Sequence, residues 1–420
     1  MVSKPPLTVH RNRPWTNWGG NIRASPSWTV RPTTESQVVD AVRHAVSNQV
    51  PIRAGGSAHS FSPLVATEGL LIDMTGYSGV IGIDASTARV RVRGGTLLRD
   101  LGEPLWKAGF SLRNQGDIDR QTIAGAVATA THGSGVRLGS VSSCVRAVRI
   151  VDGTGSVRDI DAATDGGGDA LLAAQVSLGL LGIVLEVELE VDPAYLLEER
   201  ISFPLWEETV ETWDEDVTAN RHYSFLWCHH ADSAGLYELP VPDGVDAVGR
   251  SFTKRYRVVT DEEATASRAR GTRADRAYRI YPGTFDLPFH EMECFVPADR
   301  GREAVEAVRE LIVRRHPEQR YPVEVRWVQA EAAFLSPASG RDSTVISVSG
   351  APRDDYSDYF ADVDRALAPF DARSHWGKLH RMTRDRVEAS YPQLDRFDRV
   401  RREMDPADLF LNDHLRPLFG

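Results

Sequence analysis

One turn constrains this chain more than any other stretch: Arg53-Ala54-Gly55-Gly56-Ser57-Ala58-His59-Ser60-Phe61-Ser62-Pro63. It follows a short β-prone run, Pro51-Ile52-Arg53. Two adjacent glycines let the backbone turn sharply and approach a ligand with no Cβ in the way. Successive N–H groups in such a turn form a nest for phosphate oxygens, and Ser57 and Ser60 add hydroxyl donors. His59 then stands on a loop beside a phosphate site. Taken alone, the pattern also fits a glycine turn with a surface histidine, because short glycine motifs recur by chance. The rest of the chain decides between the two.

At 420 residues the chain is too long for one ordinary core, and two domains are expected. The 41% hydrophobic and 26% charged content is that of a soluble globular protein. A net charge of −10 argues against nucleic acid as a partner, since that needs clustered positive charge. No apolar run approaches the roughly 20 residues that span a bilayer. Met1 to Leu7 lacks the apolar core of a secretion signal. Cys144, Cys228 and Cys294 are odd in number and far apart. Disulfides are therefore not expected, and a reducing cytoplasm is. Cys228-His229-His230, with His222 nearby, lacks the spaced ligand pairs of a structural zinc site, so no metal is expected.

Trp15 to Arg31 reads as an irregular arm leading into a strand. Thr33 to Ser36 carries helix-start residues, and Val38, Val39, Ala41, Val42 and Ala45 recur at helical spacing to about Asn48. Leu70 to Met74 reads as a short strand. Ala88 to Arg93 alternates and must have one wet face. Gly94-Gly95 breaks it, and Leu97 to Ala108 is an amphipathic helix. Gly182 to Val191 alternates apolar with acidic residues.

A second cluster runs from Asn114 to Gly135. Residues 124–131 are almost all small, which lets backbone lie flat against a large planar ligand or pack tightly against itself. Donors on both sides, Thr122 and Thr129 to His132, favour the ligand. No G-x-G-x-x-G follows a strand, which disfavours a Rossmann domain. After Pro193 the character shifts to tryptophans, acids and long amphipathic segments such as Arg302 to Arg314. Gly271 to Arg279 reads as an exposed basic loop. Asp405 to His414 reads as helix, then loop, and the end as tied down.

Five blocks in this order resemble the sugar-lactone and alditol oxidases of the vanillyl-alcohol-oxidase type. They are Gly55 to Ser60, Ala124-Gly125 to Gly135, Glu324-Val325-Arg326, His375-Trp376-Gly377-Lys378 and the tail around Asp405-Pro406. The resemblance implies an α+β protein. A two-part FAD-binding domain of the PCMH type would occupy residues 1–192. A cap with a large antiparallel sheet flanked by helices would occupy 193–372, and a C-terminal segment, 373–420, would return to the FAD domain. It implies FAD bound covalently through His59, for which a neutral imidazole is the nucleophile. Implied FAD contacts are Arg53, Ala54, Gly55, Gly56, Ser57, Ala58, His59, Ser60, Gly116, Asp117, Thr122, Gly125, Thr129, Ala130, Thr131, His132 and the backbone of Ile183, with His414 closing the flavin edge.

The chemistry this resemblance implies is oxidation of a CH–OH group, with hydride leaving carbon and a proton leaving oxygen. One cation near the carbinol oxygen and one near the reduced flavin stabilise the charge that develops. Arg326 and Lys378 resemble the family's two site cations, with Glu324 beside Arg326 to orient hydroxyls and accept a proton. Glu324 and Arg326 lie two apart, so a strand puts both on one face. His375 is expected to support the site. Asp117, Glu324, Arg326, Lys378 and Ser349 are the expected substrate contacts. Ser349 stands where sugar-oxidising relatives often carry a histidine, which leaves open a tailoring oxidase acting on a sugar-like part of a secondary metabolite. Gly116 leaves room for oxygen at the flavin, so oxygen or another acceptor fits. A flavin-binding protein without turnover would lack the two site cations, and a non-flavin module would use the glycine loops as plain turns.

Overall fold

Two sheets of the N-terminal half and one large sheet of the C-terminal half are joined by a chain end that crosses back. The computed structural model describes residues 8–163, 168–266, 271–283 and 287–420. The first sheet is ordered Thr8–Arg11, Trp28–Arg31, Leu70–Asp73, Ile52–Gly55, with the outer first pair antiparallel and the others parallel. Helix Glu35–Asn48 crosses between strands of this sheet and is opened by a capping box. Gln37 N donates to Thr34 Oγ1, and Thr34 N donates to Gln37 Oε1. Its Val38, Val42 and Ala45 face Ile52, Leu70 and Ile72 in one core.

The second sheet is antiparallel: Val157–Asp161, Val145–Val151, Ile183–Glu190, Arg89–Arg93, Val80–Asp84. Alternation separates its faces. Val90, Val92, Val187 and Leu189 are buried, while Arg89 and Arg91 pair with Glu188 on the outer face.

The third sheet has eight antiparallel strands, ordered 272–276, 196–202, 250–259, 222–228, 323–328, 343–350, 290–297, 373–374. Helices Trp206–Ala219, Gly301–Arg315 and Ser357–Leu367 cover its back. In His290–Pro297, Met292, Cys294 and Val296 join that core, so Glu291 and Glu293 face forward. This mixed architecture with its large antiparallel sheet is the expected α+β class. Among the described residues no helix is long and apolar enough to cross a membrane.

After Ser374 the chain returns to the first half. Val387, Tyr391, Leu394, Phe397 and Phe419 pack with Val127, Ala174 and Leu181. Arg53 ties this end to the glycine loop, donating to Leu64 O (2.6 Å), Leu178 O (2.5 Å) and Phe410 O (2.6 Å). Asn412 Nδ2 donates to Pro63 O at 2.7 Å.

Two expectations change. Gly271 to Arg279 is not an exposed loop: Thr272–Arg276 is an edge strand and Ala277–Ile280 a short helix, with Ala277 and Ile280 buried against Leu197 and Tyr256. The arginines hid it, because their stems cover apolar surface while their heads pair outward, as Arg276 does over Trp106. The small-residue run is both packing and cleft wall. Helix Ile123–Ala128 buries Ile123, Ala126 and Val127 and turns Ala124, Gly125 and Ala128 to the cleft. All three cysteines are free and buried. His229 Nε2 lies 2.7 Å from Gln319 O, and His222 Nδ1 2.8 Å from Ser134 O.

Candidate active site

Three cavities lie in line between the two halves. The first, about 120 Å³, is walled by Ala54 to Ser60, Thr122, Gly125 and Thr129. The second, about 30 Å³, lies between His59, Trp18, His375 and Lys378. The third, about 510 Å³, lies on the front of the eight-stranded sheet. The first and second share His59, Ser60 and Thr129 in their walls, the second and third share Ile118, His375 and Lys378, and Gln121 lines all three, so the cavities adjoin along one cleft.

The first cavity is built from backbone. A Cβ on Gly56 would stand 2.1 Å from Thr122 Oγ1, so only glycine lets the loop close on that helix start. Ala58 sits at φ +59°, a left-handed conformation that costs a non-glycine residue and persists only where neighbours enforce it. They do so here. Trp18 N donates to Ala58 O (2.8 Å), Asn17 Nδ2 to Ser60 O (2.9 Å), Phe61 N to Gly377 O (2.7 Å) and Ser62 Oγ to Trp376 O (2.5 Å). The N-terminal arm and the 375–378 tetrad thus clamp the loop from two sides.

His59 Nδ1 is buried without a hydrogen-bond partner among the described residues, and its ring centroid is 5.4 Å from that of Trp18. Burial, then Lys378 and Arg120, push its pKa down to about 4, so the imidazole is neutral. A glycine cradle with an orphan neutral imidazole beside it fits the pyrophosphate and ring of FAD.

The third cavity is built from charged side chains. Glu324 and Arg326, on strand Val323–Val328, both face it. Arg326 Nη2 reaches Asp117 Oδ2 at 2.6 Å and Glu324 Oε2 at 2.8 Å, and Lys254 Nζ lies 3.4 Å from Asp117 Oδ2. Lys378 Nζ donates to the Glu291 carboxylate. Glu293 holds His132 Nε2 at 3.0 Å and accepts from Ser347 Oγ at 2.8 Å. Burial works against the charge on Lys378, but Glu291 and Glu293 outweigh it and raise its pKa. Burial likewise pushes the Glu324 carboxyl up, with Arg326 pulling the other way. Asp117 ends below the usual carboxylate range because Arg326 and Lys254 more than offset its burial. Burial holds His375 neutral, down to about 3.

Gly116, Asp117, Thr131 and His132 line the third cavity rather than the cradle. Arg53 touches the cradle, but its guanidinium is committed to carbonyls beneath the loop. Four expected contacts fall outside all three linings. Ala130 (φ +59°) turns the chain behind the wall. Ile183, expected to contact FAD through its backbone, turns its side chain into the core between Gly182 and Val184, which line the cradle. Ser349 is covered by Tyr237, whose hydroxyl lies 2.9 Å from its Oγ. His414 packs 5.2 Å from His380, away from the cleft. Sequence reading missed Lys254, Glu291, Glu293 and Gln121. Glu291 and Glu293 carried the same signal as Glu324 and Arg326, two charges two apart in an otherwise apolar strand.

The D-arabinono-1,4-lactone oxidase family matches residues 240–418, and an FAD-binding domain family matches residues 26–161. The chain is 36% identical to the L-gulono-1,4-lactone dehydrogenase of Mycobacterium tuberculosis, covering 97% of this chain and 99% of the relative. It is 28% identical to an alditol oxidase from a Streptomyces species, covering 96% and 98%. The fold is shared with cholesterol oxidase from Brevibacterium sterolicum at 14% identity, with a TM-score of 0.81 over 100% of this chain and 99% of that one. The chain therefore belongs to the FAD-binding oxidoreductases of sugar lactones and alditols.

Proposed function

We propose that this enzyme holds FAD covalently through His59 and oxidises a CH–OH group of a sugar-like substrate at the Lys378 end of the large cavity. The observation that carries this reading is the meeting of a backbone cradle, an orphan imidazole and two half-buried cations along one cleft. Bound FAD supplies a two-electron acceptor for the hydride. Lys378 and Arg326 are the two site cations, one holding the oxygen as negative charge develops on it and one beside the reduced flavin, in a site where burial magnifies each charge. Glu291 and Asp117 keep those two cations in place. Glu324, whose carboxyl is raised by burial, orients hydroxyls and takes up the proton. Oxygen or another acceptor takes up the electrons from the reduced flavin. We place the domain limits at 192/193 and 372/373, and the protein in the cytoplasm, where three free buried thiols stay reduced.

Acid precipitation of the purified holoenzyme tests the covalent link. Flavin is expected in the pellet for the native chain and in the supernatant for His59→Ala. Flavin released from the native chain overturns the link, and bleaching by an aldonolactone or alditol without oxygen still tests the oxidation.

A further inference from the structure

The third cavity is far longer than a sugar requires. Its lining runs from Glu291 on strand His290–Pro297 to Arg273 on strand Thr272–Arg276. These strands stand six places apart in the sheet. At about 4.8 Å per place the floor is roughly 29 Å across. A six-carbon polyol, five bonds of about 1.5 Å each, reaches less than ~8 Å.

The groups suited to hydroxyls gather toward one end. Lys378, Glu291, Glu324, Arg326 and Asp117 are joined there by Lys254, and the passage to the cradle opens beside them at Gln121 and His375. Beside Glu324 the wall changes character. Leu226 stands opposite Glu324 on the neighbouring strand, Phe252 opposite Leu226 on the next, and Ile201 opposite Lys254, and Leu239 and Pro240 line the same cavity. Leu226 and Phe252 are 5% and 6% exposed and carry no polar atom beyond the backbone. At the far end Tyr256 Oη donates to Glu199 at 2.5 Å, Arg273 pairs with the same carboxylate, and the exposed Arg273 marks an opening to water. Tyr237 closes the side nearest strand Ser343–Gly350. Its hydroxyl is anchored on Ser349, and its ring lies 5.7 Å from Phe289 and 5.5 Å from Tyr321. The free direction for a long molecule is therefore along the sheet, away from the cradle.

We infer that the substrate is elongated: a sugar-like head at the Lys378 end and an acyl, alkyl or aryl substituent lying between Phe252 and Leu239. This rests on the proposed oxidation at that end. It differs from a mere access channel, because a channel adds no affinity whereas an apolar contact adds about fourfold for each methylene it removes from water.

The test uses holoenzyme and matched pairs: an aldonolactone and an alditol, each plain and each bearing an octyl ether on a terminal hydroxyl. Calorimetry gives the dissociation constants, and flavin bleaching without oxygen gives the reaction. The octyl partners are expected to bind at least about tenfold more tightly than the plain ones. Phe252→Asp and Leu239→Asp are expected to erase most of that ratio, with flavin absorbance confirming that each variant is folded and loaded. Equal affinity within each pair overturns the inference while the plain substrates still bleach the flavin. An octyl advantage that survives both substitutions also overturns it. If no member of either pair bleaches the flavin, the proposed oxidation falls and this inference with it.

Discussion

The two walls of the cleft are made of different material. On the cradle side the ligand meets backbone: Gly55, Gly56, Gly125, Gly179 and Gly182, with alanines and hydroxyls between them. Its buried cation, Arg53, donates to carbonyls and holds the wall together. On the cap side the ligand meets formal charge carried on long side chains, Glu291, Glu293, Glu324, Arg326 and Lys254. A backbone wall reads shape and fails by steric conflict. A charged wall performs chemistry, sets selectivity and fails by loss or gain of a proton. The division lets one wall stay constant for the cofactor while the other is tuned to a substrate.

Acid should separate the walls most strongly. His222 begins a strand of the large sheet and His375 stands beside the cleft where the C-terminal segment returns, and burial pushes each down to about 3. Unfolded, each takes up a proton near pH 6.5, so below that the unfolded state binds more protons than the folded one. Stability therefore falls as pH drops from about 6.5 toward 3, by about 1.4 kcal/mol per pH unit for each histidine. Measured along an acid titration, substrate binding should disappear before the absorbance of the flavin in the cradle changes. Simultaneous loss would break the distinction.

Next in size are the site cations. Lys378→Ala or Arg326→Ala should slow flavin reduction by about 10²-fold or more in stopped-flow traces, the scale for losing one preorganised charge-stabilising group. Flavin content should stay at the native level. Arg326→Ala should also lower stability by about 3–5 kcal/mol in urea titrations, because Asp117 and Glu324 are left buried together. Gly56→Val should do the reverse, cutting FAD incorporation about tenfold through conflict with Thr122. Protein that does load should reduce its flavin at a near-native rate. A variant that fails in both assays would erase the contrast between the walls.

Legibility in the sequence followed the same line. The cradle was readable because backbone demands leave compositional marks: Gly55-Gly56, the small run after Thr122, and His59 between two serines. Most strands and helices were readable for a related reason, since Glu35–Asn48 and Arg89–Arg93 bury one face at a regular period. The cap wall was only half readable. Glu324 and Arg326 stood out, yet Lys254 and Glu293 reach the cleft through strand order, and no local pattern states which strands will be neighbours. Tyr237 is the sharper case. It takes the place expected of Ser349 from a loop 112 residues away, a substitution in space that leaves no trace at position 349.

His59 is the exception that tests the division, because the proposed link makes it a side chain doing chemistry on the backbone wall. An exposed histidine would lose its nucleophilic form as pH falls through about 6.5. His59 is already deprotonated by its surroundings, with burial, Lys378 and Arg120 together holding it near 4. Attachment of FAD to the apoprotein should therefore proceed at nearly the same rate from pH 8 down to pH 5, followed by flavin fluorescence in denaturing gels. A rate that falls about tenfold between pH 7 and pH 5 would show an imidazole open to water, and the cradle would then owe its reactivity to the ligand and not to the wall that surrounds it.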